Sequence, residues 1–390
     1  MCQGFKAAGI YAGIKKNNIK DLGLIISDVP AAVAGVFTKN QIKAAPVLLD
    51  IERIRSGKCC AVIANSGNAN CCTGEQGMKD AVRVTKAVAE KLGVAEEMVL
   101  VSSTGVIGKS LPVEKIETHI PQLFDALSSD GFTRFAESIM TTDTIPKKLS
   151  RMVEVAGKSF SLTGVAKGAG MIRPDMATML SYVCTDVEAD SSTLKTLLTD
   201  AVNLSFNRIT IDGDTSTNDM VLIMANGMSG VSLNDELVKA SFKNALEEML
   251  VELAKMVVKD GEGVTKLVEI KIIGAASDVD AEKMADTVAH SPLVKTAFFG
   301  EDANWGRIIA ALGRSGVSLN PDAIDISFND IMLVKNGLWC GPDAEIEATK
   351  VMKLAEFEVA IDVHLGVGQS SCWTCDFSID YVKINADYRS

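Results

Sequence analysis

The chain has 390 residues, of which 47% are hydrophobic and 23% charged, and its net charge at pH 7 is −11. That composition excludes intrinsic disorder as the main character and supplies a sizeable core, in two or three domains by length. An acidic chain without a basic block is ill suited to gripping nucleic acid or an anionic membrane, which leaves small-molecule chemistry.

Short apolar runs bounded by Gly, Asp or Asn predict strands, and amphipathic stretches between them predict helices. From the N-terminus these are strands at 22–26 and 60–64, a helix over 75–91, a strand at 99–103 and a helix over 113–127. A strand at 177–184, a helix over 192–204 and strands at 208–211 and 220–225 follow. The clearest helix spans 234–259, where Leu237, Ala240, Phe242, Ala245, Met249, Leu250 and Leu253 form one stripe. Asn234 is its expected N-cap, and Gly261 follows its end. Beyond it lie a strand at 268–273, a helix over 345–354 and a strand at 357–365. The last stretch, 375–388, reads as a strand through Phe377, Ile379, Tyr381 and Val382. The weakest join, at 275–281, follows Gly274 and divides a first domain over 1–274 from a second over 275–390.

No run reaches the roughly 18 apolar residues of a membrane helix. The N-terminus has no charged region leading into an apolar one, so the cytoplasm is the expected location. Nine cysteines, an odd number with adjacent pairs at Cys59-Cys60 and Cys71-Cys72, favour reduced thiols over a disulfide framework. Histidine is scarce: only His119, His290 and His364 are available for a Ser-His-Asp or His-rich metal site, and none sits in a motif.

Polar, glycine-rich segments at predicted strand ends, 65–70 and 102–108, are places where a backbone can approach a ligand. Taken singly, each reads more simply as a tight turn. Gly108-Lys109-Ser110 invites a phosphate-loop reading, but Ser103 stands where the loop needs its first glycine. Cys372-Trp373-Thr374-Cys375 has the spacing of a redox pair or half a zinc site. With no second pair and a strand-like setting, core cysteines are the better reading.

The most informative stretch is 167–180, Lys-Gly-Ala-Gly-Met-Ile-Arg-Pro-Asp-Met-Ala-Thr-Met-Leu, a glycine-rich loop that runs into a strand at Thr178. An isolated threonine there is usually a β-branched strand residue. A nucleophile made without histidine, however, is available to a threonine at a new N-terminus. Its α-amine, with a pKa near about 7.7–8.0, accepts the hydroxyl proton at neutral pH.

Further blocks accompany this one: Thr73-Gly74-Glu75-Gln76-Gly77, Met140-Thr141-Thr142-Asp143-Thr144 and Phe206-Asn207-Arg208-Ile209-Thr210. Asp212 to Asp219, Asp260-Gly261-Glu262-Gly263, Gly300 to Arg307 and the tail Tyr381 to Ser390 complete the set. In this order, and nearly end to end, they resemble the ornithine acetyltransferase family, the glutamate N-acetyltransferases of arginine biosynthesis. The resemblance implies an α+β fold, a four-layer α/β/β/α sandwich, with a smaller C-terminal α/β domain whose tail returns to the active site. It implies a precursor that cuts itself between Ala177 and Thr178, freeing Thr178 as nucleophile. Acetyl would then pass from N2-acetyl-L-ornithine to L-glutamate through acetyl-Thr178.

By the same resemblance, Thr104 and Gly105 match the oxyanion hole. Thr141, Lys167, Thr178, Glu262, Asn385 and Ser390 match substrate-binding positions. The family often ends in Thr, and Ser390 keeps the hydroxyl; Ala303 stands where relatives commonly have proline. No metal or cofactor is implied, and acetyl-CoA as a second donor is left open. The cut chains are implied to assemble as a heterotetramer of two of each. Two other readings stand beside this one. A self-cleaving amidase or aminopeptidase would use water as acceptor, and a non-catalytic binding protein would never be cut.

Overall fold

The computed structural model describes residues 2–16, 18–173 and 179–387; Ala177, Thr178 and Ser390, all expected in the site, lie outside these. The chain is α+β, and its described residues divide into two compact units, one within 2–207 with 214–257, the other of 208–213 with 258–387.

The strands of the first unit are β1 (Phe5–Ile10), β2 (Leu22–Phe37), β3 (Lys58–Asn68), β4 (Val99–Val106), β5 (Lys147–Val155), β6 (Lys158–Lys167), β7 (Leu180–Thr185) and β8 (Met220–Ala225). Its helices are α1 (Ala45–Arg53), α2 (Gly74–Leu92), α3 (Val113–Asp125), α4 (Phe132–Ile139), α5 (Ser191–Leu204) and α6 (Glu236–Lys259), the last of which runs on into the second unit. Among the described residues the strands form one mixed sheet in the order β4-β3-β2-β8-β7-β6-β5, with β1 paired to the first half of β2. A register shift between Ile26 and Ala31 lets the second half of β2 pair with β8 instead.

Successive side chains on a strand point to opposite faces, and here both faces are covered. Ile25, Val62 and Leu100 pack with Val47 of α1 and with Phe132 and Phe135 of α4. Their neighbours Leu24, Ile63 and Val101 pack beneath Val84 and Val88 of α2 and Ile116 and Ile120 of α3. Strands buried on both faces read as continuous apolar runs, which is why the sequence reveals them. Farther along the sheet α6 lies close on β6: a Cβ at Gly164 would stand 2.8 Å from Met249 Sδ, and Phe160 meets Phe242 at 5.9 Å.

Two details of α6 differ from expectation. Asp235, not Asn234, begins it, with its Oδ1 accepting from the Leu237 N–H at 2.9 Å. Leu237 and Ala240 are exposed, and the buried stripe starts at Val238 and continues through Phe242, Leu246, Met249, Leu250, Leu253 and Val257.

The second unit carries β9 (Leu267–Ala275), β10 (Asp325–Phe328), β11 (Ile331–Lys335), β12 (Leu338–Trp339), β13 (Glu356–Asp362) and β14 (Gly368–Cys375). Its helices are α7 (Asp278–Ala289), α8 (Pro292–Phe299), α9 (Trp305–Gly313), α10 (Pro342–Met352) and α11 (Ile379–Asp387). The strand order is β12-β11-β10-β13-β9-β14. Ile270, Ile272, Val359 and Ile361 meet Met284, Val288, Leu312 and Met352 of the helices in one core. The join expected after Gly274 therefore falls at the end of an interior strand: β9 pairs β13 and β14 on its two sides, and the unit already includes residues from 258.

The strand expected at 208–211 is reduced to one bridge, Ile209 to Trp373, because a short helical turn at Phe206–Arg208 leads directly into it. The tail is corrected too. Instead of a strand over 375–388, β14 stops at Cys375 and α11 begins after Ser378, whose hydroxyl accepts from the Tyr381 N–H at 3.2 Å. No helix among the described residues is long and apolar enough to cross a membrane.

Candidate active site

The polar block after β3 turns out to be scaffold. Asn65 Nδ2 donates to the Asn68 carbonyl at 2.9 Å, and Ser103 Oγ donates to Asn65 Oδ1 at 2.6 Å. Asn218 Nδ2 ties Ala69 O and Ser103 O together at 2.7 and 2.8 Å, joining the ends of β3 and β4 to the residue pair before β8. All three side chains are buried, so each hydrogen bond replaces water that is not there. This brace fixes the backbone of 103–105.

Within it the two strands approach so closely that Gly105, at φ +130°, has no room for a side chain. A Cβ there would lie 2.5 Å from Gly67 C and 2.6 Å from Asn68 N, both backbone atoms. Thr104 and Gly105 lie half-buried among the last three residues of β4, so they are rigidly held yet open to a ligand.

Lys167, the last residue of β6, brings two hydroxyls together. Its ammonium donates to Thr141 Oγ1 at 2.9 Å and to Thr104 Oγ1 at 3.3 Å, while the side chain itself is buried. Because each threonine oxygen accepts from the ammonium, each O–H proton is turned away from it and can be donated elsewhere.

Asp143 organises the other side of this cluster. Its Oδ1 accepts from Lys147 Nζ and from the Gly168 N–H, both at 2.7 Å, and its Oδ2 accepts from the Thr141 N–H at 3.0 Å. The Asp143 and Lys147 side chains are fully buried. Burial alone would raise the Asp143 pKa, but the ammonium groups of Lys167 and Lys147 outweigh it and hold the carboxyl at about 2. Asp219 is the opposite case. Burial pushes its carboxyl well above the usual range, against the pull of Lys167 and of the Met179 N–H that faces it. Asp143 lies inside the Met140–Thr144 block and Asp219 ends the Asp212–Asp219 block, but their electrostatics depend on burial, which no motif records.

Of the expected site residues, Thr104, Gly105, Thr141 and Lys167 thus come together in the first unit. In the second unit Glu262 and Asn385 meet: Asn385 Nδ2 donates to Glu262 Oε2 at 2.8 Å and to the Tyr381 carbonyl at 3.1 Å. The pairing depends on Gly263 at φ +67°, where a Cβ would be 2.4 Å from the Tyr381 nitrogen at the start of α11. Asp376 braces it further, accepting from the Thr265 N–H, the Thr265 hydroxyl and the Lys266 N–H at 2.9, 2.6 and 3.0 Å. Cys372 and Cys375 both lie buried in β14, three residues apart and so on opposite faces, which suits neither a dithiol nor a metal pair.

A family model described as the ArgJ family matches residues 6–390. A relative from Geobacter sulfurreducens, named arginine biosynthesis bifunctional protein ArgJ, is 52% identical over 390 residues, covering 100% of this chain and 99% of its own. A protein of the same name from Desulfotalea psychrophila is 51% identical over 390 residues, with 100% and 99% covered. Among solved structures, the arginine biosynthesis bifunctional protein argJ of Bacillus halodurans is similar at 44% identity and a TM-score of 0.52, covering 54% of this chain and 100% of that one. On these matches, the chain belongs to the ArgJ family.

Proposed function

We propose that this chain is an acetyltransferase of arginine biosynthesis that cuts itself between Ala177 and Thr178 and moves acetyl from N2-acetyl-L-ornithine to L-glutamate. In a chain alike to ArgJ proteins from end to end, the observation that carries the chemistry is the Lys167 ammonium gathering the Thr104 and Thr141 hydroxyls beside Gly105. The hydroxyl of Thr178 attacks the acetyl carbonyl and passes its proton to its own α-amine. Charge developing on the carbonyl oxygen is taken up by the Thr104 O–H and the Gly105 N–H. Collapse of the tetrahedral species breaks the amide bond, and the leaving ornithine nitrogen takes the proton. The glutamate amine then attacks acetyl-Thr178, giving N-acetyl-L-glutamate and restoring the hydroxyl.

In this reading Lys167 and Thr141 hold a substrate carboxylate. Glu262, with Asn385, suits the cationic end of ornithine, and Ser390 adds a hydroxyl. The relatives are named bifunctional, and in this reading the second activity is acetylation of glutamate from acetyl-CoA. The cut chains assemble as a heterotetramer of two of each and work in the cytoplasm. An amidase using water is less well supported, because the full-length relatives carry a biosynthetic name. The test is an assay with acetylornithine, with and without glutamate. Acetylglutamate formed in step with ornithine supports transfer; ornithine released at the same rate without glutamate contradicts it.

Thr104→Ala tests the oxyanion role. Removing one positioned donor costs about 2.7–4 kcal/mol in the transition state, or roughly 10²–10³ in kcat. Steady-state kinetics should show that fall with KM little changed; a kcat within twofold of wild type would make Thr104 only a scaffold residue.

A further inference from the structure

Lys15 stands at the same site, although no motif points to it. The loop that carries it is fixed by the buried carboxylate of Asp21, which accepts from the Ala12, Ile14 and Lys15 N–H groups at 2.6, 2.6 and 2.8 Å. From there the stem of Lys15 crosses Gly67, where a Cβ would be 2.7 Å from Lys15 Cγ, and Gly67 is the residue that packs on Gly105. The ammonium ends 2.9 Å from the carbonyl of Met140, the residue before Thr141. Lys15 thus spans from the Gly105 turn to the Thr141 turn, the same two turns that Lys167 joins from the β6 side. It is half-buried, and among the described residues Met140 is the hydrogen-bond partner of only one of its three N–H donors.

The charges near this point favour an anion. The ammonium groups of Lys15, Lys147 and Lys167 face the carboxylates of Asp21 and Asp143, while burial pushes the Asp219 carboxyl well above its usual range. We propose that Lys15 is a second carboxylate-binding cation of this site, pairing with an amino-acid substrate beside Lys167 and Thr141. This rests on the acetyl-transfer reading above. The carboxylate has two sources, the α-carboxylate that acetylornithine and glutamate share and the side-chain carboxylate of glutamate alone.

Burial pushes the Lys15 pKa down to about 8, with Lys167 acting in the same direction and Asp21 and Asp143 opposing it. The ammonium is therefore complete below that value and lost above it, and its hold on a carboxylate follows.

The experiment measures kcat and KM for both substrates in wild type, Lys15→Met and Lys15→Arg, with self-cleavage as the control for folding. Loss of one charge-assisted hydrogen bond predicts a KM for glutamate roughly 10- to 100-fold higher in Lys15→Met, with kcat nearly unchanged. Lys15→Arg should stay close to wild type. An equal rise for acetylornithine assigns the α-carboxylate, and a rise for glutamate alone assigns the side-chain carboxylate. Wild-type KM for glutamate should also climb as the pH passes about 8, and Lys15→Arg should lose that climb. Unchanged KM values for both substrates in Lys15→Met overturn the proposal. Should that variant not fold, a wild-type KM with the same pH profile as Lys15→Arg overturns it instead. A wild-type protein that transfers no acetyl at all removes the underlying reading, and this assignment with it.

Discussion

Replacing Thr178 with alanine should leave one uncut chain and lower acetyl transfer by roughly 10⁴-fold or more, the scale of losing a nucleophile from an acyl-transfer site. The reason lies in the chemistry of 177–178: without a useful histidine, the hydroxyl and the amine that activates it must come from one residue, and cutting the chain supplies the amine. The neighbouring backbone is well anchored for such a role. Met179, the next residue, accepts from the Met220 N–H at 3.1 Å, and β7 continues between β6 and β8. A denaturing gel and N-terminal sequencing check the result. Wild type should give a second chain beginning Thr-Met-Leu, and Thr178→Ala should not. A cut Thr178→Ala chain, or one beginning elsewhere, would defeat the assignment.

The second large effect is on stability. Asp143→Asn removes the carboxylate that faces Lys147, leaving a fully buried ammonium beside an amide. Breaking one half of a buried ion pair costs about 3–5 kcal/mol, since the remaining charge stays desolvated. The Thr141 and Gly168 N–H groups lose a charged acceptor in the same step, so transfer should fall with stability. The pH dependence has a definite sign. A carboxyl held down at about 2 contributes stability that is complete above its ordinary value of 3.8 and is lost as the pH falls through about 2. Thermal unfolding between pH 5 and 2 should therefore drop more steeply in wild type than in Asp143→Asn. Parallel curves would mean that Asp143 is not ionised in the folded protein.

What the sequence reveals of the fold follows burial. β2, β3, β4 and β8 are apolar on both faces or nearly so, and β9 keeps a buried apolar face through Val268, Ile270 and Ile272, so their runs are readable one by one. β5 alternates half-buried and exposed positions among Lys, Ser, Arg and Glu after a buried Lys147, so only its partner β6 closes the hairpin; the one local sign is the turn at Ala156-Gly157, both at positive φ. The tail misleads for a different reason. Phe377, Ile379 and Tyr381 alternate as a strand would, yet Phe377 and Tyr381 are also four apart, and their rings stack at 5.0 Å across the start of α11. Spacing alone does not separate those two periods.

The site residues are named in the sequence only through the order of the motif blocks; the family match over 6–390 bears out the resemblance itself. Neither the Lys167 bridge from Thr104 to Thr141 nor the pairing of Glu262 with Asn385 has a local signature. Each joins residues far apart in the chain, at 104, 141 and 167 in one case and 262 and 385 in the other. Lys15 is further still from any motif, because its place beside Met140 depends on the Asp21 loop and the bare surface of Gly67.

The central claim is that acetyl rests on Thr178 between donor and acceptor. Intact-mass measurement of the cut protein, treated with acetylornithine alone and then with glutamate, tests it most directly. The expected result is one acetyl increment on the chain beginning at Thr178, located on that residue by peptide mapping and discharged when glutamate is added. Acetylglutamate formed at full rate with no acetylated chain at any time, or with the acetyl group on another residue, would contradict it.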